Sequence, residues 1–563
     1  MGKVLMKGNQ ALAESCLRAG CRFFSGYPIT PQTDILEYLS WRMDEVGGKC
    51  VQTESELCGV NMLFGAAAAE EAETVILLSD DGITVNGEAI PEDGSAPVYL
   101  TLVNETHEDV PDSLRDVTNL VVNLAAAGTY RISGTATDVQ LAVRAGDGDA
   151  VRLILDGADL TCRTAPAILC LSALETAEPG QYGITIELAD GSENRVTGSH
   201  TAKDETGTKY DGAIDSMVSL GFVGGGSLTV DADNEGIEVK FGHLTIDGGV
   251  FHIAACDDPV NVSEDGVGVL TFNDGYLFSE VKNLESGEGD GIDSNGSIIF
   301  NGGTAINLAH PASMDSGIDS DMGSYINGGV IVGAGNMYDP IDSGSAQLFM
   351  MLEFAQKTQD LLVVTDAEGT PVFAYDFPYD YTYIAFSTPA LQEGETYHVY
   401  LGGEIEGEKQ DGLYTSIASY TPGTLMQHGG DAVQQSQMNG GMPQPPDEGG
   451  APDFDKARPD MPDFGVDLNE ILQGRDLNEL LEGKDLNGLR TGFSLTDFLT
   501  EAEIAQYLGD ADPSAFDRMG GRGMGGFGGM GGRQGMASSA ETGTADFVLS
   551  KDHTGFTNVV AAQ

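Results

Sequence analysis

Apolar residues recur along this chain with two different periods. Over residues 9–17 they fall at helical spacing. A second helix is expected from Pro31 through Asp34, Ile35, Tyr38 and Leu39, with the proline in a first turn where its missing N–H is harmless. Phe23 and Phe24 read as an entering strand, and 61–69 as an alanine-rich helix. From about residue 74 the helical period is lost. Short β-rich runs follow, punctuated by Asp-Gly, Asn-Gly and Gly-Gly pairs.

Those runs repeat. LTIDGG (244–249), LTFNDG (270–275), IIFNGG (298–303) and SYINGG (324–329) align without gaps, their last glycines 26, 28 and 26 residues apart. A second register lies between them at Asp215, Glu238, Asn261, Asp293, Asp319 and Asp342, spaced 23, 23, 32, 26 and 23 residues apart. A period in the twenties with two or three short strands per repeat predicts a mainly β chain built around a parallel β-helix over 75–346. Rungs about 4.8 Å apart stack equivalent residues in columns. The second register then becomes a column of carboxylates that repel by roughly 1 kcal/mol per neighbour even in a water-like medium.

Such a column splays into solvent, takes up protons, or holds cations. Asp290 and Asp293, then Asp315, Asp319 and Asp321, crowd oxygen donors into short stretches, which suits calcium with its six to eight oxygen ligands. The expected ligands of several Ca2+ ions between rungs are Asp215, Glu238, Asp290, Asp293, Asp315, Asp319, Asp321 and Asp342. Tyr276 and Tyr325 flank the glycine corners and are candidate sugar platforms, although strand aromatics covering a sheet have the same pattern.

Charge sharpens this picture. The chain carries 88 acidic against 27 basic residues, a net charge of −61. So acidic a surface argues against nucleic acid and anionic lipid as partners. No apolar run is long enough for membrane insertion. The first 69 residues stand apart: they hold 6 basic and 7 acidic side chains, four of the seven cysteines and the one tryptophan. The chain therefore reads as two proteins joined near residue 70.

GYPITPQT (26–33) and the ESE…NM…GAAAA stretch (54–69) carry a resemblance to the start of the pyrimidine-binding domain of 2-oxoacid:ferredoxin oxidoreductase α subunits. The resemblance implies that Glu56 matches the glutamate that activates the thiamine aminopyrimidine, and Thr30 the threonine facing substrate. A parallel sheet cannot bury its faces with most strands absent, so this α/β fragment is expected to be a vestige that holds no thiamine diphosphate.

AGTYRISGT (127–135), LILDGADL (153–160) and GDGIDSNGSIIFNGG (289–303) carry a second resemblance over about 75–425. It is to the calcium-binding, right-handed β-helix carbohydrate-binding proteins that resemble pectate lyases in fold. That family implies secretion and binding of pectin, cellulose and similar acidic or plant cell-wall polysaccharides, although the N-terminus MGKVLMKGNQ lacks the apolar stretch of an export signal. A lyase needs a strong base, and across 211–346 the only lysines or arginines are Lys240 and Lys282. Non-catalytic binding is the main expectation, with a Lys282-dependent lyase and a structural surface protein or adhesin as alternatives.

Residues 347–421 alternate apolar and polar and predict a small β-sandwich or cap. Residues 422–543 are rich in Gly, Met, Pro and Gln, which predicts a disordered linker, with nine-residue repeats at 467–493. The remainder, 544–563, reads as one strand returning to the cap.

Overall fold

The computed structural model describes residues 7–18, 21, 23–29, 33–45, 48–60, 62, 73–92, 94, 96–203, 206–282, 284, 287–429, 543–551 and 553–562. Thr30, most of the expected helix 61–69 and residues 430–542 of the expected linker, with its repeats, lie outside the described residues, whereas 422–427, expected as linker, continue the strand Leu413–Gln427. The chain divides into two compact units, one holding Leu12–Gly440 with Met536–Gln563, the other Met1–Ala11 with Gly441–Gly535. The strand architecture belongs to the first.

The N-terminal segment has the expected helices, Gly8–Arg18 and Thr33–Glu45, and two parallel strands, Phe23–Gly26 and Lys49–Gln52. Ala13, Leu17, Leu39 and Met43 make a small core of their own. Glu14 ties the helices together, accepting hydrogen bonds from the Tyr38 hydroxyl (2.8 Å) and the Arg42 guanidinium (3.1 Å).

The rest is mainly β. Beyond Gly128 the strands fall into three parallel stacks that the chain visits in rotation. One turn runs through Gly212–Ser216, Leu220–Gly224 and Ser227–Ala232; the next returns through Glu235–Val239, Leu244–Ile246 and Val250–Ala255. Each strand pairs in parallel with the one three places on. The first stack extends from Asn119–Leu124 through Val139–Arg144, Ile168–Ser172 and Val260–Val262 to Asp293–Ser294 and Asp319–Ser320. The parallel order starts earlier than the repeats do, because Thr74–Ser79 already pairs in parallel with Gly128–Thr137.

The aligned runs form the second stack, and their periodicity is physical. Phe222, Ile246, Phe272, Phe300 and Ile326 follow one another in register, all fully buried. Burial of each such side chain is worth roughly 1.5–3 kcal/mol. At the corner, amides stack: Asn273 donates to Asp247 (2.7 Å), Asn301 to Asn273 (2.7 Å) and Asn327 to Asn301 (2.9 Å). The following glycine must stay glycine. Gly275 has φ +106°, and a Cβ there would stand 2.5 Å from the Gly249 carbonyl oxygen.

Antiparallel strands end the parallel order. Tyr381–Ser387 pairs with both Val330–Gly335 and Phe349–Thr358. The long hairpin Thr396–Gln410 and Leu413–Gln427 pairs onward with Leu361–Thr365 and Pro371–Asp376. Residues 544–562 form two short strands rather than one. Phe547–Val548 pairs with Thr396–Gln410, and Gly555–Ala561 pairs with both Phe349–Thr358 and Leu413–Gln427. Cys162 and Cys170, which as a sequence pair fit either a disulfide or core thiols, are buried free thiols. No helix among the described residues is long and apolar enough to cross a membrane.

Candidate metal centre

The second register of the repeat becomes a real column in the first stack. Asp215 pairs with Glu238, Glu238 with Asn261, Asn261 with Asp293 and Asp293 with Asp319. Asp342 does not join it. The stack ends at Asp319–Ser320, and the next turn instead bridges Ile341 to Ser324 in the second stack. There Asp342 turns back to accept a hydrogen bond from the Gly344 N–H.

A second acidic column, absent from the sequence expectation, runs three residues ahead of the first: Glu235, Asp258, Asp290 and Asp339 precede Glu238, Asn261, Asp293 and Asp342. Asp339 accepts from the Ser320 N–H at 3.1 Å, so it supplies the carboxylate that Asp342 does not. The i−3 spacing was present in the repeat and is the signal that finds these residues.

The early and late ends of these columns meet different environments. At the early end, Asp215 is 0% and Glu238 2% exposed. The Lys240 ammonium is inserted among them, against Glu238, 3.3 Å from Asp211 and 3.9 Å from Asp215. Burial by itself would lower the Lys240 pKa, but the charges of Glu238, Asp215, Glu235 and Asp211 outweigh it and hold the ammonium protonated. Asp215 also accepts from the Asp211 N–H (2.9 Å), and Glu238 from the Ser263 hydroxyl (2.9 Å). Even so, Asp215 Oδ1, Glu235 Oε2 and Asn261 Oδ1 are buried without a hydrogen-bond partner. Burial first, then the Glu238 charge, raises the carboxyls of Asp215 and Glu235 well above the usual range.

At the late end no ammonium intervenes. One carboxylate oxygen from each of Asp290, Asp293 and Asp319 lies within 4.8 Å of the other two. Backbone N–H groups position the surrounding acids: Asp290 donates to Asp258 (2.6 Å) and Ser316 to Asp290 (2.6 Å). Among the described residues, Asp258, Asp290, Asp293, Asp319 and Asp339 form no ion pair. Their carboxyls climb accordingly. Burial, then the Asp319 and Asp321 charges, pushes Asp293 up to about 8. Burial and Asp321 push Asp319 to about 6, and burial and Asp319 push Asp339 to about 8. Burial followed by the charge of Asp293 on Asp258, and of Asp258 on Asp290, raises those two well above the ordinary value.

The donor set fits calcium. Two oxygens on opposite sides of one Ca2+, each about 2.4 Å from it, stand no more than about 4.8 Å apart. All the donors are oxygens, and an added dication removes both the repulsion and the desolvated negative charge. The other expected ligands lie around this core. Asp315 is taken up by the Gly289 N–H (2.8 Å) and the Ser313 hydroxyl, and acts on Asp319 through its charge. Asp321 is exposed, its carboxyl raised by burial of its surroundings and by Asp265.

The remaining sequence candidates fare differently. Tyr325 is 3% exposed and offers no ring face to solvent. Tyr276 is half-buried and gives its hydroxyl to Asp411 (2.6 Å) at the tip of the long hairpin, which also meets His252 at 3.1 Å. Both behave as structural aromatics, not as open platforms. Lys282 is paired with Asp231, so neither lysine of this region is an unengaged base. Glu56 is exposed, in a helical stretch over 56–60.

Comparisons with known proteins divide the chain as its composition does. Residues 118–343 match the family model described as carbohydrate-binding domain-containing protein. Residues 14–76 match that of the pyruvate flavodoxin/ferredoxin oxidoreductase thiamine diphosphate-binding domain. A carbohydrate-binding domain-containing protein of Acetivibrio thermocellus is 31% identical over 155 residues, 27% of this chain and 51% of its own length. The 2-oxoglutarate synthase subunit KorA of Methanocaldococcus jannaschii is 47% identical over 62 residues, 11% of this chain and 17% of its own. The ketoisovalerate oxidoreductase subunit VorB of Methanothermobacter thermautotrophicus is 41% identical over 90 residues, 16% and 25%. The chain thus spans a quarter or less of these two oxidoreductase subunits and about half of the carbohydrate-binding relative. A solved polysaccharide lyase-like protein from C. thermocellum aligns over 46% of this chain and 94% of its own at 20% identity, with a TM-score of 0.28, too loose to carry an argument. The molecule is a mainly β chain in which a segment similar to a carbohydrate-binding domain follows a fragment similar to an oxidoreductase subunit.

Proposed function

We propose that the β region is a calcium-dependent, non-catalytic module that binds acidic polysaccharide of the pectin or plant cell-wall type. The observation that carries this is the group Asp290, Asp293 and Asp319, three carboxylates gathered with no ion-pairing lysine or arginine among the described residues, in a segment similar to carbohydrate-binding domains. Asp290, Asp293 and Asp319 would hold the ion, with Asp258 and Asp339 adding negative charge around it. Calcium supplies positive charge that a uronate carboxylate can share. The protein's part is to hold its own carboxylates in register through backbone N–H groups and to keep Lys240 out of that group.

In this reading the three rotating stacks wind as a right-handed parallel β-helix, the hand that nearly all parallel crossovers take. Support for binding over elimination comes from the two lysines, each already engaged by carboxylates. Such a module acts outside the cell or on its surface. The N-terminal fragment, its Glu56 exposed on a short helical stretch, contributes no thiamine diphosphate site; isothermal titration with the cofactor should give no binding heat.

The test is retention on immobilised polygalacturonate, with and without a calcium chelator. Retention that vanishes with chelator and with Asp293→Asn is expected. Retention unchanged by either would sink the calcium bridge, and release of unsaturated uronate products would make the module a lyase.

A further inference from the structure

A second polar cluster lies away from the acidic columns and contains nitrogen. His107 sits in the connection between Val98–Val103 and Asn119–Leu124. His200 follows the strand Glu193–Gly198. One ligand atom from each of His107, Asp109 and His200 lies within 4.8 Å of the other two, and the imidazole rings are 5.2 Å apart between centroids.

Hydrogen bonding sets the state of these groups. His200 Nδ1 meets Asp233 Oδ1 at 3.3 Å, and Asp233 is itself fixed by the Ser199 hydroxyl at 2.6 Å. With its proton on Nδ1, His200 turns the Nε2 lone pair towards Asp109 Oδ2, 3.6 Å away. His107 Nδ1 stands 3.8 Å from the same Asp109 oxygen. The His107 side chain is only 7% exposed, and neither of its ring nitrogens has a hydrogen-bond partner.

Three electron-pair donors therefore converge. The 3.6 and 3.8 Å separations are too long for N–H···O bonds. They approach the edge of about 3.4 Å that two ligands about 2.05 Å from one tetrahedral ion would span. Nitrogen donors discriminate against calcium and favour the borderline first-row dications. A carboxylate behind a ligating histidine is the usual support that fixes its tautomer.

We infer that His107, Asp109 and His200 bind one zinc-type divalent ion, with Asp233 as the positioning residue behind His200. Asp109 is 60% exposed, so the ion's remaining position faces solvent and takes water. This inference is independent of the calcium reading, because the two sites share no residue.

The test uses the full chain, stripped of metal and dialysed against zinc with calcium in excess to saturate oxygen sites. One zinc retained per chain is expected. Cobalt in its place should give the intense visible absorption of a four-coordinate ion. His107→Gln and His200→Gln should each weaken zinc binding by ~100-fold or more, and Asp233→Asn by ~10–100-fold. Asp293→Asn should leave it unchanged. Absence of retained zinc in the unaltered chain, a weak six-coordinate cobalt spectrum, or retention undiminished in both histidine variants would each overturn the assignment. The cobalt spectrum needs no variant, so a misfolded mutant cannot mask the answer.

Discussion

The two ends of the acidic column face one electrostatic problem and meet it differently. At Asp215 and Glu238 the chain supplies its own cation, Lys240, on the same strand edge as Glu238. At Asp293 and Asp319 no lysine or arginine forms an ion pair with the column among the described residues. Charges a few ångströms apart near a protein surface interact by about 4 kcal/mol, so neither end tolerates full ionisation alone. A fixed ammonium makes a permanent strut. A gap of the right size makes a binding site. In the calcium reading proposed above, the contrast separates a structural use of the repeat from a functional one.

The largest effect should come from removing the strut. Lys240→Met leaves Glu238 and Asp215 without their counter-ion, while Asp211 keeps Lys209 at 2.7 Å, and should cost about 3–5 kcal/mol at pH 7, read from urea unfolding. A loss below about 1 kcal/mol would show that the strut idea is wrong. At the late end, calcium at about 100 times its dissociation constant should add about 2.7 kcal/mol at pH 8, and Asp293→Asn should abolish that gain.

Acidity gives the next effect. The carboxyls of Asp293, Asp319 and Asp339 are raised in the folded state, to about 8, 6 and 8, from ordinary values near 3.8. The folded chain therefore binds more protons than the unfolded one in that interval. Their contribution without calcium is complete below about pH 4 and is lost as pH rises towards 8. With chelator, the thermal midpoint should fall between pH 5 and pH 8; with calcium the fall should shrink or reverse, because the ion replaces the protons. A chelated midpoint that rises over this range would contradict these directions. The smallest effect is a control on a different face: Asn301→Ala breaks the amide ladder and should cost about 1 kcal/mol without changing the calcium response.

Much of this architecture was written in the spacing. The aligned runs found the second stack because Phe272 and Phe300 must be apolar and Gly275 must lack a side chain. The same rule placed Asp215, Glu238, Asn261, Asp293 and Asp319 in one column. It failed at Asp342, since periodicity does not announce where a stack stops. Asp258 and Asp339 stand outside the register that the column defines, although the i−3 copy repeats as faithfully. Tyr276 and Tyr325 went astray for another reason. Whether an aromatic meets sugar or protein depends on the distant hairpin carrying Asp411. His107 and His200 are 93 residues apart with no motif between them. Only the packing of two connections brings them together.

The strands Phe547–Val548 and Gly555–Ala561 knit into sheets whose other members end by Gln427. Phe547, Leu549, Phe556 and Val559 bury themselves there, none more than 2% exposed. Severing the backbone in 430–542 would thus leave residues 543–562 still attached through strand pairing and these buried side chains. The two fragments should co-elute after proteolysis and part only in denaturant, and a separately made 543–562 peptide should be able to reclaim its place.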